Sequence, residues 1–231
     1  MGKHIPNFIT ILNLLAGCLS VYYSTSGELV MASWMIFIAA IFDFLDGMAA
    51  RLLHAKSPIG GVLDSLADVV SFGLAPGFII FELIRASQNI PDYVPFIAFI
   101  IPALSALRLA KFSVDERQSD RFLGLPTPAN ALLIASFPLI LGHYADHKTL
   151  YFIFSSPYIL IPLSVILSIL LVTEIPLMAL KFRNFKWQDN QLKFLLIITS
   201  VVLVLIFKCL AVPFIFLLYF GFSFLDTRKG T

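Results

Sequence analysis

Charged residues, cysteine and histidine are all scarce in this sequence. Only 13% of its 231 residues are Asp, Glu, Lys or Arg, 59% are hydrophobic, and the mean hydropathy is +0.91. This composition excludes a soluble globular domain of this size. The two cysteines, Cys18 and Cys209, lie inside apolar runs without metal-binding or redox spacing, so no disulfide framework is predicted.

Long apolar runs predict an all-α protein, a polytopic bundle of about eight transmembrane helices. Each run is close to the 20 residues that a helix needs to cross a bilayer. The candidate spans are residues 7–24, 30–54, 60–86, 92–112, 127–144, 149–172, 192–207 and 209–226. We expect residues 1–231 to form a single integral membrane domain.

Basic residues are distributed unequally between the two sides of the predicted bundle. With eight spans, three of the 16 Lys and Arg residues lie on one side, namely Arg85, Lys148 and Lys208. The other thirteen lie on the side of the two termini: Lys3, Arg51, Lys56, Arg108, Lys111, Arg117, Arg121, Lys181, Arg183, Lys186, Lys193, Arg228 and Lys229. Because cytoplasmic loops carry an excess of Lys and Arg, we predict a multi-pass protein of the cell membrane with both termini in the cytoplasm.

Four aspartates interrupt the apolar sequence of two neighbouring spans: Asp43, Asp46, Asp64 and Asp68. Each costs about 2.5–3.5 kcal/mol or more at the centre of a membrane helix, so four together need a shared compensating partner. The first two aspartates are three residues apart and the last two are four apart, so each pair lies on one face of its helix. A short link between the two helices brings these faces together. Because carboxylate oxygens suit hard cations and no Cys or His cluster accompanies them, the pattern predicts a Mg²⁺ or Mn²⁺ centre near the cytoplasmic surface.

A second polar pattern lies at the start of the first span. Asn7, Thr10 and Asn13 follow one another at intervals of three residues, which makes a polar stripe at a depth similar to that of the aspartates. Two interpretations stay open for this stripe, contact with a ligand or hydrogen bonding between helices.

The aspartates and their neighbours resemble the signature of the CDP-alcohol phosphatidyltransferases. The sequence reads DFLDGMAAR at 43–51 and GGVLDSLAD at 60–68. It therefore matches DxxDGxxAR, followed after eight residues by GxxxDxxxD, at every specified position. The resemblance implies a membrane enzyme with a catalytic core over about residues 1–145 and C-terminal helices over about residues 149–226.

The resemblance also implies roles for single residues. The four aspartates would hold two Mg²⁺ or Mn²⁺ ions in the family's manner, and Asp68 would also accept the proton of the incoming alcohol. The residues that would contact the CDP moiety of a lipid donor are Asn7, Thr10, Asn13, Gly47, Ala50, Arg51, Ser57 and Gly60. Gly47 would let the nucleotide approach the helix backbone, and Arg51 would supply a cation for phosphate.

Three downstream segments resemble the phosphatidylserine synthase branch of this family: SFGLAPGF at 71–78, ALRLAKFSV at 106–114 and GLPTP at 124–128. Ser113 stands where an Asn is expected. In this interpretation Arg108 and Lys111 would receive the carboxylate of an amino acid, and Ser71 would orient its hydroxyl group. The alternatives are a helix-end arginine that reaches the membrane surface and a serine that packs between helices.

Phosphatidyl transfer from CDP-diacylglycerol to L-serine, with release of CMP, is the function that the resemblance implies. The same chemistry with glycerol phosphate or an inositol phosphate as acceptor is the first alternative. A cation transporter is a remote one, because facing carboxylates also line ion pathways. The resemblance implies a homodimer, and the distribution of Lys and Arg predicts an active site at the cytoplasmic face. Membrane lipids are the expected surroundings, and no nucleic acid partner is expected.

Overall fold

Ten α-helices make up most of the part of the chain that the structure describes. The computed structural model describes residues 4–55, 57–87, 90–114, 122–178 and 187–229. The helices are α1 (Ile5–Thr25), α2 (Leu29–Leu52), α3 (Pro58–Asp68), α4 (Ala75–Arg85), α5 (Ile100–Val114), α6 (Thr127–His143), α7 (Lys148–Ser155), α8 (Pro157–Val172), α9 (Trp187–Phe207) and α10 (Ala211–Lys229). A π-helix (Val69–Leu74) joins α3 to α4, and 3-10 helices (Val94–Phe99, Lys208–Leu210) precede α5 and α10.

Several of these helices are long and apolar enough to cross a membrane. By length and composition, five described stretches qualify: Ile5–Thr25, Leu29–Leu52, Pro58–Arg85, Val94–Val114 and Asn190–Leu225. The pair α7 and α8 qualifies as a sixth if it is counted as one span, although it bends by 50°. The prediction of a mostly helical protein with several apolar spans is confirmed. Eight crossings and cytoplasmic termini stay predictions.

The breaks between helices have local causes. Pro157 begins α8 directly after Ser156, which separates α7 from α8 inside the predicted span 149–172. Lys208 has a φ of 51° at the predicted boundary between the last two spans. Side chains of α9 and α10 then line one common cavity, so the two helices lie side by side after this turn.

The π-helix interrupts the third predicted span immediately after Asp68. The Ala75 N–H donates to the Val70 carbonyl, five residues back, as a π-turn requires. Pro76 follows, and a proline has no N–H for an α-helical bond and crowds the carbonyl four residues back. The wider turn therefore fits the proline and buries Ser71, Phe72 and Gly73.

Helix α1 approaches the π-helix very closely at Gly17. A Cβ atom added there would lie 2.5 Å from Ser71 Oγ and 2.8 Å from Ser71 Cα. The Ser71 hydroxyl donates to the Asn13 carbonyl over 3.0 Å. Glycine thus lets α1 dock against the segment that follows Asp68. Fully buried Ile36, Phe72 and Phe137 belong to one apolar core.

A small strand pair accompanies the helices. Phe122 lies opposite Leu177 and Leu123 opposite Pro176 in an antiparallel pair of two-residue strands, β1 (Phe122–Leu123) and β2 (Pro176–Leu177). These strands are too short for a sequence pattern to indicate them. Gly124 follows with a φ of 74°, where a Cβ atom would lie 2.5 Å from the Thr173 carbonyl oxygen.

Two predicted cytoplasmic loops, one between spans 92–112 and 127–144 and one between spans 149–172 and 192–207, are described only in part. Residues 115–121 and 179–186 lie outside the described ranges. The basic residues of the charge count that lie outside these ranges are Lys3, Lys56, Arg117, Arg121, Lys181, Arg183 and Lys186.

Candidate active site

Three of the four predicted metal ligands come together. Asp43 of α2 and Asp64 and Asp68 of α3 each offer a carboxylate oxygen, and these three oxygens lie within 4.8 Å of one another. Helix α1 packs against both α2 and α3, so it holds the two helices on which the carboxylates stand. The spacing in the sequence therefore corresponds to one cluster in space.

The fourth aspartate, Asp46, lies at the edge of this cluster. Its side chain is only 6% exposed and neighbours the Thr10 hydroxyl. It interacts electrostatically with Asp43 and Asp64. Its Oδ2 atom is buried without a hydrogen-bond partner among the described residues. Asp46 thus lies beside the three clustered carboxylates, next to α1.

The donor set fits a hard divalent cation. Asp64 Oδ1 and Asn13 Oδ1 are also buried without partners in the described part of the chain. No described Lys or Arg forms an ion pair with the four aspartates within 4.0 Å. Carboxylates gathered in a membrane protein without an ion pair are stabilised by protonation or by a bound cation. Oxygen ligands of this kind suit Mg²⁺ or Mn²⁺.

Asn13 lies against Asp68. Its side-chain Nδ2 donates to Asp68 Oδ1 over 3.3 Å, and both residues are buried. The same residue accepts the Ser71 hydroxyl through its backbone carbonyl. Of the predicted polar stripe, the third member therefore orients a carboxylate of the cluster.

A pocket of about 240 Å³ opens beside the cluster. Its lining includes six of the eight residues predicted to contact CDP, together with two aspartates and three further residues. The lining consists of Asn7, Thr10, Gly47, Ala50, Ser57 and Gly60, Asp46 and Asp64, and Pro6, Ala55 and Gly61. Ser57 also caps α3, because its Oγ accepts the Gly60 N–H over 3.0 Å.

Arg51 stands outside the lining of this pocket. Its side chain is exposed, and its Nε donates to the Gly47 carbonyl over 3.0 Å. That bond holds the guanidinium next to the pocket wall. The cation that the sequence predicts for phosphate is therefore within one helical turn of the pocket.

The three residues predicted for the acceptor lie in different surroundings. Arg108 is buried, interacts electrostatically with Asp68, and has its Cζ atom 6.0 Å from the centre of the Phe112 ring. The Ser71 hydroxyl donates to the Asn13 carbonyl, which favours the alternative of a serine that packs between helices. Lys111 is exposed, one turn farther along α5.

Comparison with known proteins gives consistent matches. A family model described as CDP-alcohol phosphatidyltransferase matches residues 3–175. A CDP-diacylglycerol–serine O-phosphatidyltransferase of Helicobacter pylori (strain ATCC 700392 / 26695) is 32% identical over 209 residues, which are 90% of this chain and 84% of the relative. The enzyme of that name from Bacillus subtilis (strain 168) is 36% identical over 145 residues, 61% of this chain and 81% of the relative. An archaetidylserine synthase of Methanothermobacter thermautotrophicus is 33% identical over 168 residues, 71% of this chain and 66% of the relative.

The family model covers most of the chain, including the aspartate cluster, the pocket beside it and Arg108. This chain belongs to the CDP-alcohol phosphatidyltransferase family.

Proposed function

We propose that this protein transfers the phosphatidyl group of CDP-diacylglycerol to the hydroxyl group of L-serine, giving phosphatidylserine and CMP, in a reaction that depends on Mg²⁺ or Mn²⁺. The observation that carries the proposal is the meeting of Asp43, Asp64 and Asp68 beside a pocket with small residues in its walls. Serine as the acceptor is supported by the activity named for the Helicobacter and Bacillus relatives.

The donor would lie with its nucleotide in the pocket and its pyrophosphate at the aspartates. Gly47 and Gly60 leave space in the walls, and Arg51 can neutralise a phosphate oxygen at the edge. The aspartates would hold a divalent cation, which would supply positive charge for the pyrophosphate. The diacylglycerol part of the donor would then extend into the bilayer among the apolar helices.

Asp68 is the proton acceptor in this proposal. As the serine hydroxyl oxygen forms a bond to the phosphatidyl phosphorus, its proton passes to Asp68. The bond from that phosphorus to the bridging oxygen breaks, and CMP leaves with the electron pair. Asn13 holds Asp68 through the 3.3 Å hydrogen bond, which fixes the carboxylate for this transfer.

The protein would work as a homodimer with its active site at the cytoplasmic face of the membrane. The cytoplasmic placement is supported by the excess of Lys and Arg that the eight-span arrangement assigns to the side of the cluster. Serine and CMP, both water-soluble, would reach the site from there.

An acceptor panel tests the proposed reaction. Purified protein with CDP-diacylglycerol and Mn²⁺ is incubated separately with L-serine, glycerol 3-phosphate and inositol phosphate, and the lipid products and CMP are measured by mass spectrometry. We expect phosphatidylserine and an equal amount of CMP with serine, and at least tenfold less product with the other two. A larger yield with another acceptor would change the assigned substrate. CMP release with none of them would contradict transferase activity.

Replacing Gly47 by alanine tests the donor pocket. A Cβ atom at this position would meet only Arg51 Nη2, at 3.7 Å, so the protein itself has room for it. We expect the free energy of unfolding to rise by about 0.5–1 kcal/mol, because alanine is more stable than glycine in the interior of a helix. The KM for CDP-diacylglycerol should rise about tenfold, because the methyl group occupies ligand space.

Gly221→Ala is the matched control for this substitution. Gly221 lies in α10, and a Cβ atom there would meet nothing within 4 Å. Thermal unfolding in detergent should show a similar gain in stability for both variants, with the KM of the Gly221 variant unchanged. An unchanged donor KM in Gly47→Ala would remove this face of α2 from the nucleotide site.

A further inference from the structure

Four polar side chains on α5 and α6 are almost fully buried and lack hydrogen-bond partners. They are Ser105, Arg108, Thr127 and Asn130, and the atoms concerned are Ser105 Oγ, Arg108 Nε, Thr127 Oγ1 and both polar atoms of the Asn130 amide. The lack of a partner refers to the residues that the structure describes. Buried polar groups are nearly always hydrogen-bonded in folded proteins, so five unsatisfied atoms on two helices require an explanation.

The two α5 side chains that lack hydrogen-bond partners lie on the side of α5 that faces the aspartate cluster. Ser105 and Arg108 are one turn apart, so they share a helix face. A Cβ atom at Gly73 of the π-helix would lie 3.0 Å from Ser105 Cβ, which places this face of α5 on the π-helix. Arg108 interacts electrostatically with Asp68, the residue that precedes the π-helix. The unsatisfied groups of α5 thus border the site of proton transfer.

The two side chains on α6 that lack partners belong to a helix that packs on the same π-helix. Thr127 and Asn130 are one turn apart at the start of α6, a helix that packs against both the π-helix and α10. Tyr219 of α10 interacts electrostatically with Arg108. The same tyrosine lines a cavity of about 550 Å³ together with Ala129 of α6. Helix α6 thus packs on the π-helix that follows Asp68 and on α10, whose Tyr219 interacts with Arg108 and donates to the Met178 carbonyl over 3.1 Å.

The chemistry of these groups matches an α-amino acid. Such a molecule carries an ammonium and a carboxylate group on one carbon atom. A guanidinium pairs with the carboxylate. The ammonium needs a neutral or negative oxygen, and the Asn130 amide offers a carbonyl oxygen while the Thr127 hydroxyl offers a second acceptor. Arg108 alone selects only a negative charge, so acceptors that differ at the amino group need a separate contact.

We propose that Asn130, assisted by Thr127, is a specificity-determining residue that binds the ammonium group of the acceptor amino acid while Arg108 binds its carboxylate. This inference rests on the proposed function, because it concerns the acceptor of that reaction. Asn130 does not contact the reacting atoms in this arrangement. Its carbonyl oxygen accepts from the ammonium group and so turns the serine hydroxyl towards Asp68.

Two analogues of serine separate the roles of the two residues. 3-Hydroxypropionate lacks the ammonium group, and ethanolamine lacks the carboxylate. The KM for serine and the inhibition constants of both analogues against serine turnover are measured for the wild-type protein, Asn130→Ala and Arg108→Gln, at saturating CDP-diacylglycerol and Mn²⁺. Ser168→Ala is the control, because Ser168 Oγ on α8 is also buried without a partner among described residues.

We expect opposite patterns in the two variants. Asn130→Ala should raise the serine KM and the ethanolamine constant roughly tenfold to a hundredfold and leave the 3-hydroxypropionate constant within twofold. Arg108→Gln should raise the serine and 3-hydroxypropionate constants and spare that of ethanolamine. The control should change none of the three.

Equal increases for both analogues in Asn130→Ala would overturn the inference, because a merely structural asparagine has no preference between them. Unchanged constants would do the same and would assign these orphaned groups to bound water. If Asn130→Ala does not fold, Thr127→Val takes its place, with a smaller increase of the same pattern expected and an unchanged pattern counting against the inference. Failure of the proposed function is recognised separately, by wild-type protein that forms no phosphatidylserine, and the inference then falls with it.

Discussion

Asp68→Asn is expected to lower kcat by about 10²–10⁴-fold, the range that a positioned general base contributes. The asparagine keeps the shape of the side chain and an oxygen that can accept the hydrogen bond from Asn13. It cannot accept the proton of the serine hydroxyl. The KM for CDP-diacylglycerol should change by less than threefold. Phosphatidylserine formation is measured at saturating Mn²⁺, so that a weakened metal site does not limit the rate.

A surface aspartate provides the control for this experiment. Asp146 is exposed in the turn between α6 and α7, and Asp146→Asn should leave kcat unchanged. A kcat within threefold of the wild-type value in Asp68→Asn would contradict the assignment. The proton acceptor would then be sought among Asp43 and Asp64, whose carboxylates lie within 4.8 Å of Asp68.

The aspartate cluster could be predicted because its determinants are local. Spacings of three and four residues define helix faces without any knowledge of the tertiary structure. The link between α2 and α3 is short, so the faces could meet in few ways. Asp46 is the exception, because its place at the edge of the cluster depends on Thr10 of another helix.

Contacts between distant residues could not be predicted. The Asn13–Asp68 hydrogen bond and the Gly17–Ser71 contact join residues more than 50 positions apart in the sequence. They depend on how α1 docks on the π-helix, and an apolar run gives no sign of that docking. The polar stripe in α1 therefore indicated a site but not that its third member would bind Asp68.

The π-helix was also missed within a span whose bounds were predicted closely. Residues 60–86 correspond to the described stretch Pro58–Arg85. Hydropathy defines where such a span begins and ends but not the hydrogen-bond period inside it. Pro76 was the available signal, since a proline within a predicted helix indicates a local break or a widened turn.

The acceptor side was predicted only in part. Arg108 was identified through the resemblance of ALRLAKFSV to the phosphatidylserine synthase branch, and it interacts electrostatically with Asp68. In the sequence, nothing distinguishes Thr127 and Asn130 from the ordinary residues of a helix that begins after a proline turn. Their one-turn spacing at the start of a largely apolar 17-residue helix is a usable signal, and their complete burial without partners among the described residues could come only from the structure.

Removal of divalent cations is expected to abolish turnover. With EDTA in excess, phosphatidylserine formation should fall by more than about 10³-fold, since charge stabilisation by a cation contributes several kcal/mol. Addition of Mn²⁺ or Mg²⁺ beyond the EDTA should restore it. The clustered carboxylates would otherwise repel the pyrophosphate of the donor, because no described Lys or Arg forms an ion pair with them.

A binding measurement separates the metal requirement from catalysis. A cation at 100 times its Kd stabilises the fold by about 2.7 kcal/mol, so Mn²⁺ should raise the Tm of the wild-type protein, and CMP should raise it further only when Mn²⁺ is present. Asp43→Asn removes a ligand and should shift the Mn²⁺ dependence of Tm to concentrations at least tenfold higher, whereas Asp92→Asn, at an exposed position, should leave it unchanged. Full activity in EDTA, or identical Mn²⁺ dependence in Asp43→Asn and the wild-type protein, would contradict a metal centre at these residues. Because the Tm shift requires no turnover, it tests the cluster even in a variant that has lost its activity.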